Sequence, residues 1–507
     1  MVVSAAGLQP IDWLIIVIYG CSTLGLGWYY GRRQKSTKEY FVGSGNMPWF
    51  LIGVSLFATL LSTISYLSIP GEVLGKGPIY LVSLLALPVS YGIVAYFILP
   101  VYMQFRLTSA YELLEIRLGL SIRMLGAVMF LGLRLVWMSL LVFLAAKAMS
   151  MMMGVGEDWI PYIVLVTGFV AVLYTSLGGL RAVVITDFVQ TVLLFGGAVT
   201  VIGVVTWDQG GFGWIPTQWQ THWDSQPLVS FDPATRLTVL GTFISIVVYY
   251  VCTAAGDQVS VQRFMATRDT GTARRAYLTQ LGVTAVITTT LAFVGLALLG
   301  YFQAHPEALG QDMDLKANAD SIYPRFIAFH LPAGISGLVV AAMFAAAMSS
   351  IDSGVNSITA VVMTDFMERF GYHPKTERGH VLVARCLAFA VGAIVVVGSS
   401  FMDSIPGNYT AITGKTTNLL VTPIFALFFF AVFAPHTRPA AVWVGWFFGV
   451  LSAVLVAFSG PIFGYDPETG YDPISFQWIG PVSLLVNLVA AYLANLVLAE
   501  KVDVRAR

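Results

Sequence analysis

About thirteen long apolar stretches run through the chain, and its basic residues fall almost entirely into every second gap between them. The stretches lie near 11–31, 48–72, 78–104, 124–153, 160–178, 182–206, 237–262, 276–302, 334–364, 381–402, 408–432, 440–459 and 478–499. Of the 27 Lys and Arg, twenty fall on one side, among them Arg32, Arg33, Lys35, Arg263 to Arg275, Arg369 to Arg385, Arg505 and Arg507. Four fall on the other side (Lys76, Arg236, Lys316, Arg325), and three lie inside stretches (Arg134, Lys147, Lys415). This asymmetry is the mark of a polytopic helical membrane protein whose basic loops face the cytoplasm. An odd number of spans puts the N-terminus outside and the C-terminus in the cytoplasm of a plasma (inner) membrane protein. The N-terminus lacks a basic n-region, and Asp12 precedes the first span, which therefore reads as a retained anchor.

With 57% hydrophobic and 11% charged residues, the chain reads as a single membrane-embedded domain over 1–507 with no soluble module appended. Zero net charge carries little information, because acids such as Glu157, Asp208, Asp224, Asp312, Asp314 and Asp320 offset the basic loops from the other side. Cys21, Cys252 and Cys386 lie in apolar spans and read as small buried hydrophobes. The six His show no ligand spacing. Trp207, Trp214, Trp219 and Trp223 crowd one outer gap, which suits a segment at the membrane–water interface.

Two spans read as broken. The second carries Ser55, Thr59, Ser62, Thr63, Ser65 and Ser68 before Pro70-Gly71, and the seventh carries Thr253 to Gln258 around a charged Asp257. Irregular backbone survives in a bilayer only where it lines a cavity or is buried in protein. Five spans separate the two breaks, so the broken spans cross in opposite senses. That predicts an all-α fold of two inverted five-helix repeats, 48–206 and 237–432, each led by a discontinuous helix. The span at 11–31 precedes them and the spans within 440–499 follow.

In span 334–364, Ser349 shares a helical face with Asp352, Ser353 and Asn356, and Ser350 adjoins it. Hydroxyls and free carbonyls are hard oxygen ligands suited to an alkali cation, and the break near Ala58 and Leu61 can supply the carbonyls. Asp187 lies a short way into span 182–206. It is either an interfacial acid paired with Arg181 or a carboxylate on a cation pathway.

The run Tyr174-Thr175-Ser176-Leu177-Gly178-Gly179-Leu180-Arg181-Ala182-Val183, continuing to Thr186, Asp187 and Gln190, resembles the best-marked motif of the sodium/solute symporter family. Ala346, Ser349 and Ser350 are similar to that family's sodium-site residues, and Gln262-Arg263 with a basic stretch follows the broken seventh span as in the family. The resemblance implies coupling to Na+ through backbone oxygens of Ala58, Leu61 and Ala346 and the hydroxyls of Ser349 and Ser350. It also implies a second cation or proton pathway at Asp187 and Ser353. Here Asp352 stands where some members have a hydroxyl.

Candidate solute contacts are Ser62 and Ser65 on the second span, Asp257 and Gln258 on the seventh, and two buried cations, Arg134 and Lys415. These cations either pair with Asp257 or Asp352 or stay free to meet an anion, which would favour a carboxylate or acidic sugar. Lys147 reads as snorkelling to the outer interface. Leu60 and Ser65 occupy positions that carry Asn and Gln in sugar-carrying relatives, yet a neutral sugar stays open as the alternative. Gly414-Lys415-Thr416 lacks the glycine a phosphate loop needs, and Gly445/Gly449 is weak evidence for a dimer. A channel, a membrane enzyme and a sensor are disfavoured for want of a charged pore ring, convergent catalytic groups and an output domain. The expected partners are the lipid bilayer and a small solute, with no nucleic acid. No oligomeric state is implied.

Overall fold

The computed structural model describes residues 8–32, 37–105, 107–309, 313–372, 374–402, 409–466 and 471–505. Arg33, Lys35, Asp312 and Arg507, which entered the charge pattern above, lie outside the described residues. Among those described, every regular element is helical. The principal helices are α1 (Pro10–Gly31), α2 (Trp49–Leu60), α3 (Thr63–Lys76), α4 (Pro78–Phe105), α5 (Leu120–Met153), α6 (Ile160–Asp208), α7 (Val239–Gly256) and α8 (Gln258–Met265). They continue with α9 (Thr270–Ala304), α10 (Ala319–Phe329), α11 (Ile335–Val361), α12 (Glu377–Ser399), α13 (Tyr409–Phe433), α14 (Pro439–Ala457) and α15 (Ile479–Arg505).

Among the described residues, eleven helices are long and apolar enough to cross a bilayer, and α2 with α3, bent by 68°, makes a twelfth span. The thirteenth is hidden in Glu157–Asp208, whose 52 residues far exceed what one crossing needs. Its backbone leaves helical geometry at Gly179, with φ 59° and ψ −176°. Five residues before that turn Tyr174 packs on Gly27, and eleven residues after it Gln190 donates to the Tyr19 hydroxyl at 3.1 Å. Both arms therefore climb the same helix, α1, and the element is a hairpin. Only glycine takes this backbone conformation without strain, so Gly179→Ala is expected to cost about 1–3 kcal/mol. A thermal-unfolding midpoint equal to the parent's would place the turn's strain elsewhere.

The broken helices are capped restarts. Leu61 and Ser62 are extended, and Ser62 Oγ accepts from the amide of Ser65 at 3.2 Å to start α3. Asp257 is likewise extended between α7 and α8, and its Oδ1 accepts from the Val259 amide at 3.0 Å. Ser and Asp are strong N-caps, so the residues that made these spans poor continuous helices are those that restart them. Helix α11 lies at the centre of the bundle: 83% of the apolar window of Ile335–Glu368 is buried in protein, against 22% for α1 and 17% for Phe476–Leu498.

Two expectations need correction. Of the outer tryptophans, Trp207 and Trp219 are exposed, but Trp214 and Trp223 are buried, and Trp223 Nε1 donates to the Leu74 carbonyl at 2.9 Å. This segment partly folds down over the end of α3 instead of lying wholly at the interface. Of the cysteines only Cys252 is buried; Cys21 and Cys386 face outward, where lipid accepts a small apolar side chain as readily as a core does. Gly445 and Gly449 are spent within the chain, where each lets α14 approach Asn487 of α15.

Candidate functional site

Where α2 ends, its last carbonyls lose their helical partners. The α11 hydroxyls meet them there. Ser349 Oγ lies 3.0 Å from the carbonyl oxygens of both Ala58 and Ala346, and Ser350 Oγ lies 3.5 Å from that of Leu61. All five residues are buried. The cluster thus gathers three carbonyls and two hydroxyls, all neutral hard oxygens, with no carboxylate among them. Such a set suits a weakly held alkali cation better than a divalent ion, which favours carboxylates. Among the described residues no His, Cys, Asp or Glu cluster suited to a metal occurs elsewhere.

One turn further along α11, the structure differs from the sequence reading. Asp187 pairs with Arg263 at 3.4 Å and accepts from Ser55 Oγ at 2.5 Å, whereas Arg181 lies over the Tyr30 ring. The Arg263 guanidinium also bonds Ser55 Oγ at 2.8 Å, the Val259 carbonyl at 3.1 Å and Ser353 Oγ. Ser353 Oγ stands 3.0 Å from Thr59 Oγ1 and 3.3 Å from Asp352 Oδ1, and Tyr174 donates its hydroxyl to the other Asp352 oxygen. Asp187, Asp352 and Ser353 are therefore brought together, but around a protein cation that the sequence had assigned to a basic loop. Arg263 follows the apolar window by one residue, so no hydropathy signal separates it from the solvated arginines after it. Its one clue is the break at Asp257, which starts a second helical segment while still inside the bundle.

The proposed solute contacts divide. Ser65 lines a central cavity of about 170 Å³ with Leu61, Trp137, Tyr249, Thr417 and Asn418. Ser62 is buried at the break as the cap of α3. Arg134 and Asp257 form an ion pair in an adjoining space of about 20 Å³ that shares Trp137, Tyr249 and Thr417 with the central cavity. Gln258 is not at the cavity. Its amide is spent on the Ala110 amide at 2.7 Å and the Thr108 carbonyl at 2.9 Å. Lys415 pairs with neither Asp257 nor Asp352 but with Asp472 at 2.5 Å, at the edge of a separate vestibule of about 680 Å³. Lys147 reaches Glu157 at 3.8 Å.

On α13 the sequence reading singled out Lys415 and missed the residues that wall the cavity. Thr413, Thr417 and Asn418 line the central cavity, and Thr413 Oγ1, Thr417 Oγ1 and Asn418 Oδ1 are buried without a hydrogen-bond partner. Thr413 and Thr417, four residues apart, share a helical face and Asn418 adjoins it, but three polar residues in an apolar span carried no sign of what they faced.

Comparison with known proteins supplies the family. The model of the sodium:solute symporter family matches residues 40–449. A sodium/sialic acid symporter of Proteus mirabilis is 28% identical over 461 residues, covering 88% of this chain and 89% of its own. One from Aliivibrio fischeri is 27% identical over 450 residues, 87% of this chain and 86% of its own. The human sodium-coupled monocarboxylate transporter 1 is 26% identical over 480 residues, 90% of this chain and 75% of its own. Among solved structures, a substrate-bound, outward-open Na+-coupled sialic acid symporter matches with a TM-score of 0.81 at 24% identity, over 96% of this chain and 98% of that one. Its likeness carries the inverted-repeat fold, and the match of the family model to most of the sequence carries the membership: this chain belongs to the sodium:solute symporter family.

Proposed function

We propose that the protein couples the sodium gradient to uptake of a small organic anion, with an acidic sugar such as sialic acid as the favoured solute. Residues 48–206 and 237–432 are the two inverted repeats, with the N-terminus outside the plasma (inner) membrane and the C-terminus in the cytoplasm. Ala58, Leu61, Ala346, Ser349 and Ser350 hold the coupling Na+. Asp187, Asp352 and Ser353, with Arg263 among them, form a second cation-sensitive cluster.

The observation that carries this reading is that Leu61 belongs to both sites. Its carbonyl faces Ser350, and the same residue lines the central cavity beside Ser65. A cation that orders this break prepares the cavity wall, and a solute resting on that wall stabilises the break, so each ligand raises the other's affinity. The unpartnered Thr413, Thr417 and Asn418 atoms support a solute with several hydroxyls, since a buried polar atom left unpaired costs free energy that such a ligand removes. Relatives that carry sialic acid and monocarboxylates support the anionic class. A neutral sugar is the second reading. It is favoured by the internal pairing of Arg134 with Asp257 and of Lys415 with Asp472, which leaves neither cation free.

Uptake of labelled sialic acid into proteoliposomes tests both. It is expected to follow an inward sodium gradient and to fail in potassium. Ser349→Ala or Ser350→Ala should weaken sodium activation by about 1–3 kcal/mol, the usual size of coupling between sites. Equal uptake without sodium would sink the symport reading, and uptake of neutral hexoses but not of sialic acid would select the second.

A further inference from the structure

A cavity of about 1120 Å³ lies between the start of α1, the ends of α6 and α9, and the end of α10. It is larger than the central cavity and the vestibule beside Lys415, and it shares no lining residue with either. One wall follows α6 from Val199 through Gly203 to Trp207, roughly 12 Å along the helix axis. Val199 is 45% exposed and Gly203 is exposed too, although both lie in a membrane span, so this wall opens sideways to hydrocarbon. Ala328, Leu331 and Pro332 add to the apolar lining. Where α6 ends the character changes. Trp207 is 85% exposed, the setting of an indole at headgroup depth.

The charges at this end have one sign. Asp208 and Glu307 line the cavity, and no Lys or Arg does. Asp208 Oδ2 has only a loose contact, 3.7 Å from His305 Nε2, and Glu307 makes no ion pair among the described residues. Asp12 is already spent, accepting from the amides of Gln9, Gly334 and Gly337 at 2.8, 2.7 and 2.7 Å. An apolar groove open to hydrocarbon, ending in two underused carboxylates at headgroup depth, complements an amphiphile with a cationic head. A lipid of net negative charge has the wrong sign, since such lipids are drawn to Lys and Arg. A quaternary ammonium would want open aromatic faces, but the Tyr301 ring is covered by His305, with centroids 4.7 Å apart. A primary ammonium donates hydrogen bonds, which two carboxylates accept.

We propose that this groove binds a phospholipid with a primary-amine headgroup, phosphatidylethanolamine, its ammonium met by Asp208 and Glu307 and an acyl chain lying along α6 from Val199 to Trp207. The site stands independently of the sodium and solute readings. Its occupant braces α10. Phe329 and His330, at the end of that helix, line the groove, whereas Ala319 and Asp320, at its start, line the vestibule. The same end is fastened to α9, where Tyr301 meets Phe326 edge to face at 4.9 Å and its hydroxyl lies 3.4 Å from His330 Nδ1. The lipid therefore completes the packing around the last turn of α10.

The test reconstitutes full-length protein in vesicles of phosphatidylethanolamine, phosphatidylcholine and phosphatidylglycerol in equal parts. Lipid retained after gentle extraction is then identified by native mass spectrometry. The parent is expected to keep phosphatidylethanolamine over the other two by roughly tenfold, the weight of one hydrogen bond to a charged group. Asp208→Asn combined with Glu307→Gln should abolish that preference; both side chains are exposed, so the fold does not hang on them. Gly203→Trp should displace the lipid altogether, because a Cβ there meets nothing within 4 Å and the indole can enter the groove without a clash. Gly203→Ala, which leaves the groove open, should retain it. Added phosphatidylethanolamine should raise the thermal-unfolding midpoint of the parent in detergent but not that of Gly203→Trp. Equal retention of the three lipids by the parent overturns the site, as does phosphatidylethanolamine held by Gly203→Trp as firmly as by the parent. A preference that survives the double substitution overturns the assignment of the amine to Asp208 and Glu307.

Discussion

Arg263→Met is expected to lower stability by about 3–5 kcal/mol, the usual cost of removing one partner of a buried ion pair. Methionine keeps most of the side chain's length but none of its charge. Asp187, fully buried, would then have only Ser55 to answer its Oδ2, and its Oδ1 already lacks a partner. Ser353 and the Val259 carbonyl would each lose a donor as well. The loss should be read as a fall in the thermal-unfolding midpoint of the purified protein. Adding Asp187→Asn is expected to recover much of it, because the stranded charge is what costs most. A midpoint within the parent's error for Arg263→Met alone would mean that Asp187 finds another partner and that the cluster is not built around this arginine.

Arg134→Met should have a comparable effect on stability, about 3–5 kcal/mol, and a larger one on transport. Asp257 would keep its bond from the Val259 amide but lose its countercharge in a space of about 20 Å³. Trp137, Tyr249 and Thr417 wall both that space and the central cavity, so a rearrangement there reaches the solute directly. Pairing Arg134→Met with Asp257→Asn separates the two roles. Stability should largely return, since an absent pair costs less than half of one, whereas uptake should remain low. Uptake restored along with stability would assign the pair a purely structural function.

Much of the architecture was legible because membrane helices announce themselves by length and composition. The breaks at Leu61-Ser62 and Asp257 were legible too, because a residue that spoils a continuous helix is visible in isolation. The oxygens around Ser349 followed from helical spacing and from the family resemblance. What was not legible depends on depth and partner choice. Arg263 looked like the first residue of a loop because nothing in one dimension says that α8 lies inside the bundle. Lys415 found Asp472, more than fifty residues away beyond an intervening span, instead of the nearer-seeming acids Asp257 and Asp352. Gln258, next to the break, was expected at the cavity, but its amide turned the other way to fasten residues 108–110. In each case the sequence named a polar residue that had to be satisfied without specifying the partner.

Helix α1 lies outside both proposed repeats, yet it is bolted to the working core. Asp12 accepts from the amides of Gly334 and Gly337 at 2.7 Å each, Tyr19 meets Gln190, and Gly27 lies against Tyr174, whose hydroxyl holds Asp352. A helix is about 10 Å thick. Helix α1 therefore works as insulation: it keeps the hydrocarbon a full helix diameter away on the side where Asp187 pairs with Arg263 and Asp352 stands one hydroxyl beyond it. Stripping it away would expose that wiring to a medium in which an unbalanced charge has nowhere to settle.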